Sequence, residues 1–205
     1  NLFSINLEKI IYELNKTICF PIDLKTPPKK QIISSRSFGC PIQSYDLLVE
    51  AVTTFTSRAA YKSRQQSTLA EYVSVFISSS PFQSKKYYYQ NSIMLKLPYL
   101  TSDTNLILSI ALEGLKSIYK ANIKYVKCGV ILSGLVDENR IQDYLWPTKT
   151  IGHSQLSQAI DAINIKFDKH SIRLATQSNN PIWGMKQSKK SQSFTTSWNE
   201  LLVVN

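Results

Sequence analysis

The residues of this chain that could do chemistry are 14 carboxylates, three thiols and two imidazoles, and their spacing decides what they can do. Nucleotidyl transfer needs a close cluster of carboxylates that holds two Mg²⁺ ions about 4 Å apart, where they clamp the attacking and leaving oxygens. The Asp and Glu residues here are scattered, and the one adjacent pair, Asp137 and Glu138, reads as a solvated loop. Cys19, Cys40 and Cys128 lie far apart with no C-x-x-C, and the histidines are His153 and His170, so no zinc spacing exists and the thiols read as buried or incidental. Neither His has the local context of a Ser-His-Asp or Cys-His site. The chain therefore reads as one with no catalytic residues and no metal ligands of its own.

Its charge is more informative. Lys and Arg number 24 against 14 acids, a formal net charge of +10. Such an excess favours a polyanionic partner, because each neutralised phosphate releases condensed counterions; the simpler alternative is a solubilising surface. With 43% apolar and 19% charged residues the chain has enough to bury, and it should fold. No apolar run approaches the roughly 18 residues of a membrane span, and Asn1 to Ile10 lacks the pattern of a signal peptide. These features predict a soluble, intracellular protein.

The elements that would position those cations follow from periodicity. Leu2, Ile5, Ile10 and Leu14 space a helix over residues 1–16, and the Pro- and Lys-rich stretch up to residue 29 reads as a linker. Lys30 to Phe38 reads as a strand. Ser44 can cap a helix whose face is Leu48, Ala51, Val52, Phe55 and Ala59. Strand alternation follows in Glu71–Ser79 and Asn91–Leu97, joined by the tyrosine-rich stretch from Pro81 to Gln90. A second helix spans Thr104–Ala121 and a last strand Lys124–Leu132. The order is β-α-β-β-α-β, which predicts an α+β domain over residues 30–135: a four-stranded antiparallel sheet with two helices on one face. A polar connector covers 136–152. A small α/β C-terminal extension covers 153–205, with a short helix through Leu156, Ala159, Ile160 and Ile163 and a strand at Ile172–Ala175.

What lines the open face decides the function. If Val73, Val75 and Ile77 point toward the helices, the other side offers Tyr72, Ser74, Phe76 and Ser78, with Ser92, Met94 and Lys96 from the third strand. The first strand adds Ser34 and Arg36 in one register, or Ser35 and Ser37 in the other. Hydroxyls and cations suit phosphate contacts, although any solvated sheet face looks polar. Arg58, Lys62 and Arg64 lie on a helix whose solvated face accounts for them.

Ser35-Arg36-Ser37-Phe38-Gly39, preceded by Lys30-Gln31-Ile32-Ile33, closely resembles the start of the little-finger domain in Y-family translesion polymerases of the UmuC type. The likeness continues collinearly through Arg58-Ala59-Ala60-x-Lys62, Ser80-Pro81-Phe82, Asp103-Thr104 and Tyr125-x-Lys127-x-Gly129-Val130. It reaches the tail in Trp183-x-Met185-Lys186 and Phe194-Thr195-Thr196-x-Trp198-x-Glu200-Leu201. The resemblance implies that residues 1–16 end the thumb, 30–135 form the little finger and 153–205 the family's extension. It also places the palm, with its Mg²⁺, upstream. Carried over, Ser34, Ser35, Arg36 and Ser37 present backbone amides, and Arg36 its guanidinium, to one DNA strand, while Lys124 and Lys127 approach the other; the sheet pattern itself adds Lys96 as a cation on the open face. This fragment would take no cofactor itself. The implied partners are primer-template DNA, the UmuD′ dimer and the RecA filament, in the bacterial cytoplasm at the nucleoid, with no membrane.

Gln142-x-x-Leu145-Trp146 in the connector resembles the Q-x-x-L-F peptide with which bacterial polymerases bind the sliding clamp. Gln would make paired amide hydrogen bonds while Leu and an aromatic fill one apolar pocket; alternatively, Leu145 and Trp146 pin a loop. Two further readings stay open. One is an RNA-binding module of the same β-α-β-β-α-β order, against which stands the lack of any aromatic in Asn91–Leu97. The other is a pure protein-interaction adaptor. Trp183, Met185, Phe194 and Trp198 either close a small subdomain or meet a partner.

Overall fold

Strict alternation at Val73, Val75 and Ile77 puts three branched side chains on one side of a strand, and all three are buried against helices. A computed structural model describes residues 4–20, 29–82, 88–140, 155–167, 171–185 and 189–201. In chain order the elements are α1 (Ile5–Leu14), β1 (Gln31–Ile42), α2 (Tyr45–Gln65), β2 (Thr68–Ser79), β3 (Gln90–Thr101), α3 (Thr104–Ile118), β4 (Tyr125–Ser133), β5 (Val136–Asp137) and α4 (Gln155–Phe167). The sheet runs β1-β4-β2-β3, every pairing antiparallel, and the short β5 adds to the first residues of β2. The α+β class and the β-α-β-β-α-β order are as read from periodicity, with β5 a fifth strand that was not anticipated.

The core lies between one sheet face and the pair α2 and α3. Leu48, Val52, Phe55 and Ala59 of α2 and Ile107, Ala111, Leu115 and Ile118 of α3 meet Val75, Ile77, Val130 and Leu132. Burying each large side chain contributes roughly 1.5–3 kcal/mol, so this layer is the main source of stability. Gly114 lets α3 approach closely, since a Cβ there would sit 3.1 Å from both Ile93 and Leu95.

Three local expectations differ from the structure. Ser44 occupies the N-cap position of α2 but its side chain makes no capping bond; the carboxylate of Asp103 does cap α3, accepting from the Asn105 amide at 3.4 Å. The helix expected to reach Ala121 ends at Ile118, where Tyr119 turns extended. The Tyr125 hydroxyl holds the following turn, accepting from the Lys120 amide and donating to the Lys120 carbonyl. Finally, Ile172–Ala175 forms no strand. The amide and carbonyl of Ile172 are instead satisfied by the side chain of Asn164 on α4, so there is no free edge to pair.

The extension is joined to the sheet domain at several places, among them the Gln177 side-chain amide, which donates to the Thr53 carbonyl and the Ser57 hydroxyl of α2, and the Ser157 hydroxyl, which donates to Asp103. The Gly39 amide on β1 donates to the Trp183 carbonyl at 2.9 Å, and the Trp183 indole, 3% exposed, packs edge-on against Phe38 and Phe55 with centroids 5.8 and 5.6 Å away. Another join is Arg64. It was read as a solvated helix cation, yet its side chain is only 8% exposed and grips Asp161 of α4 with two nitrogens, at 2.6 and 2.9 Å. Its remaining donors reach the Ser102 carbonyl and the Thr104 hydroxyl. A buried guanidinium needs this many partners to offset its desolvation.

Candidate nucleic-acid interface

Residues directly opposite one another in an antiparallel sheet share a face, so the pairing register defines the open face rank by rank. At one end stand Gln31, Ser133, Tyr72 and Lys96, and next to them Ile33, Ile131, Ser74 and Met94. The third rank is Ser35, Gly129, Phe76 and Ser92, and the fourth Ser37, Lys127, Ser78 and Gln90. The complementary set, with Ile32, Ser34, Cys128, Val130 and Leu132, faces the helices and is buried.

This register settles the choice left open on β1. Ser35 and Ser37 are on the open face and exposed; Ser34 and Arg36 are not on it. Ser34 is buried under the helices opposite Val130. Arg36, opposite the buried Cys128, projects exposed on the helix side, where its charge is felt by Arg58 of α2. Alternate side chains of a strand point to opposite faces, so the side chains of Ser35 and Ser37 lie on the open face and those of Ser34 and Arg36 on the helix side.

Lys127 is exposed in the fourth rank, and its ammonium lies 5.8 Å from the centroid of the Phe76 ring, above the middle of the sheet. Lys96 stands in the first rank, exposed and 3.2 Å from Glu71, so part of its charge is met by a neighbour. Lys124 is exposed just ahead of β4. The second rank is more apolar than expected, with Ile33 and Met94 52% and 63% exposed. Gln142, Leu145 and Trp146 lie outside the described residues.

Gly129 was not singled out as a site residue, and it shapes this face. A Cβ on it would collide with Ser35 Cβ and stand 2.5 Å from Phe76 Cζ. A glycine inside an alternating strand marks such close approach and was the available signal. The missing Cβ lets the Phe76 ring lie over Gly129, so the third rank presents that ring between the hydroxyls of Ser35 and Ser92. The face can therefore accept a broad, smooth anion surface through hydroxyls and the Lys127 ammonium. It presents no carboxylate cluster: among the described residues no group of three or more His, Cys, Asp or Glu could hold a metal. Nor is any helix among them long and apolar enough to cross a membrane.

The thiols take no part. Cys128 is buried and its pKa is pushed up to about 12 by that burial. The Cys40 thiol donates to the Ile182 carbonyl at 3.3 Å, at the seam with the extension.

The profile of the impB/mucB/samB family C-terminal domain matches residues 29–145, and that of a domain of unknown function matches 154–204. Protein ImpB of Salmonella typhimurium is 32% identical over 203 residues, covering 97% of this chain and 47% of the relative. Protein UmuC of Salmonella typhimurium is 30% identical over 204 residues, covering 98% and 48%. Protein MucB of Escherichia coli is 31% identical over 202 residues, covering 98% and 48%. A solved Y-family DNA polymerase chimera matches over 64% of this chain and 35% of its own, at 11% identity and a TM-score of 0.39. The chain spans about half the length of the curated relatives it matches.

Proposed function

Because the chain belongs to the impB/mucB/samB family, we propose that it is the DNA-gripping C-terminal part of an error-prone translesion polymerase, with the open sheet face laid against primer-template phosphates. The observation that supports this most directly is the pair of ranks Ser35-Gly129-Phe76-Ser92 and Ser37-Lys127-Ser78-Gln90, which offers hydroxyls and the Lys127 cation beside the Phe76 ring. Hydroxyl and ammonium contacts to phosphate position a duplex without reading its sequence. Such a grip suits an enzyme that must pass altered bases. On the family resemblance, nucleotide transfer and the Mg²⁺ it needs would belong to the rest of the whole protein.

The test is DNA binding by fluorescence anisotropy across a salt series. Lys127→Ala should weaken binding similarly for unrelated primer-template sequences and lower the salt slope by about 0.9, the value of one phosphate contact. Arg36→Ala should leave the slope unchanged, because its side chain faces the helices. A flat response to Lys127→Ala, or a stronger one to Arg36→Ala, refutes the open face as the grip. Tethering to a sliding clamp through Gln142, Leu145 and Trp146 is the second part of the proposal. Changing Leu145 and Trp146 to Ala should abolish clamp pull-down while DNA binding stays intact. Docking to UmuD′ and RecA is proposed on the family alone.

A further inference from the structure

The sheet domain and the extension do not close completely against each other. Between α2, α4 and residues 172–177 they leave a cavity of about 310 Å³. Its wall is mainly apolar, from Tyr61, Leu156, Ile160, Ile172 and Leu174. Leu156 and Ile172, at 57% and 39% exposed, stand in the open although both belong to an otherwise polar surface. Three arginines border the space, Arg58, Arg64 and Arg173. Arg64 is spoken for by Asp161. Among the described residues neither Arg58 nor Arg173 forms an ion pair, and Arg36 adds a further cation on the same helix-side surface. Crowding shows at Arg58: partial burial, then the charge of Arg36, holds its guanidinium below the ordinary arginine value.

We propose that this cavity docks an acidic segment of a partner protein, one large apolar side chain entering between α2 and α4 while flanking carboxylates meet Arg58 and Arg173. Volume and charge both support it. A space near the low end of the range for ligand pockets, about 300–1,000 Å³, takes an anchor side chain rather than a whole cofactor. A planar guanidinium fork is suited to a carboxylate. A nucleic acid fits less well. The hydroxyls in its wall are already engaged, Thr54 donating to the Glu50 carbonyl, Ser57 to the Thr53 carbonyl and Ser157 to the Asp103 carboxylate, and its single aromatic, Tyr61, has its hydroxyl bonded by Gln65 at 2.6 Å. This proposal is independent of the DNA-binding reading.

The experiment uses the full chain and three fluorescein-labelled hexapeptides: Asp-Asp-Leu-Phe-Asp-Asp, Lys-Lys-Leu-Phe-Lys-Lys and Asp-Asp-Ser-Ser-Asp-Asp. The first should bind at least roughly tenfold more tightly than the other two, a difference of about 1.4 kcal/mol. Its affinity should fall by a similar factor with Arg58→Gln and with Arg173→Gln, and Ile160→Trp, which fills the space, should abolish it. Primer-template binding should be the same in Arg58→Gln as in the parent. Thermal unfolding of each variant separates lost binding from lost folding, and the two arginine changes keep the test decisive if Ile160→Trp does not fold. Equal binding of all three peptides, no binding of the first, or its displacement by DNA rather than by unlabelled acidic peptide overturns the proposal.

Discussion

Replacing Trp183 with Ala should detach the extension from the sheet domain and destabilise the chain by about 3 kcal/mol. Truncating a buried Trp costs about 3–5 kcal/mol once the cavity is included. Here the indole is 3% exposed and sits edge-on to both Phe38 and Phe55, and each such ring pair is worth about 0.5–1.5 kcal/mol beyond burial. Against this, the buried indole N–H has no hydrogen-bond partner among the described residues, a penalty of about 1–3 kcal/mol that the mutation removes. The low end of the range follows. Trp183→Phe also removes the orphan donor and keeps two ring contacts, so it should cost less than about 1.5 kcal/mol. Urea unfolding of both variants measures the free energies, and amide exchange at Gly39 reports whether its bond to the Trp183 carbonyl survives. A loss below about 1 kcal/mol for Trp183→Ala, or equal losses for Ala and Phe, would refute the reasoning.

Other expectations follow from the same contacts. Gly39→Ala places a Cβ against the Gly184 carbonyl, which is backbone and cannot swing aside; proteolysis within 155–183 should speed up while the sheet core stays protected. Gly129→Ala pushes against Ser35 and the Phe76 ring and should cost about 1–3 kcal/mol as overpacking, with weaker DNA binding at every salt concentration. Arg64→Ala leaves Asp161 and the Ser102 carbonyl without their cation, and unfolding should show a loss of about 3 kcal/mol or more. For Cys128 the folded pKa is raised from 9.0 to about 12, so above pH 9 the unfolded chain has lost a proton that the folded chain keeps. Stability should therefore fall between pH 9 and 12, by up to about 1.4 kcal/mol per unit, a slope that Cys128→Ala should remove.

Period-two and period-3.6 patterns made most of the fold legible. Val73, Val75 and Ile77 declared their face, as did the Leu48 to Ala59 stripe, because one side of each element had to be dry. The site was half legible. Lys127, Ser35 and Ser37 share the open face, while the side chains of Ser34 and Arg36 lie on the helix side. A strand separates neighbours, and no local pattern in an Ser-Ser-Arg-Ser run says which pair faces out. Arg64 could not be assigned at all, since its partner Asp161 is 97 residues away. Ile172–Ala175 has the composition of a strand, yet Asn164 takes its backbone groups first.

The bond from Gly39 to the Trp183 carbonyl matters beyond this one chain folding on itself. A sheet of four strands has two outer rims, and each rim is a row of backbone groups on which another chain can crystallise into a longer sheet. Both rims here carry a proline, Pro41 on β1 and Pro98 on β3, which interrupts the row. On the β1 side the extension also takes one rim amide, that of Gly39, with the carbonyl of Trp183. Any shortened form that lacks it exposes an uncapped strand, and its solubility at high concentration would be the first property to go.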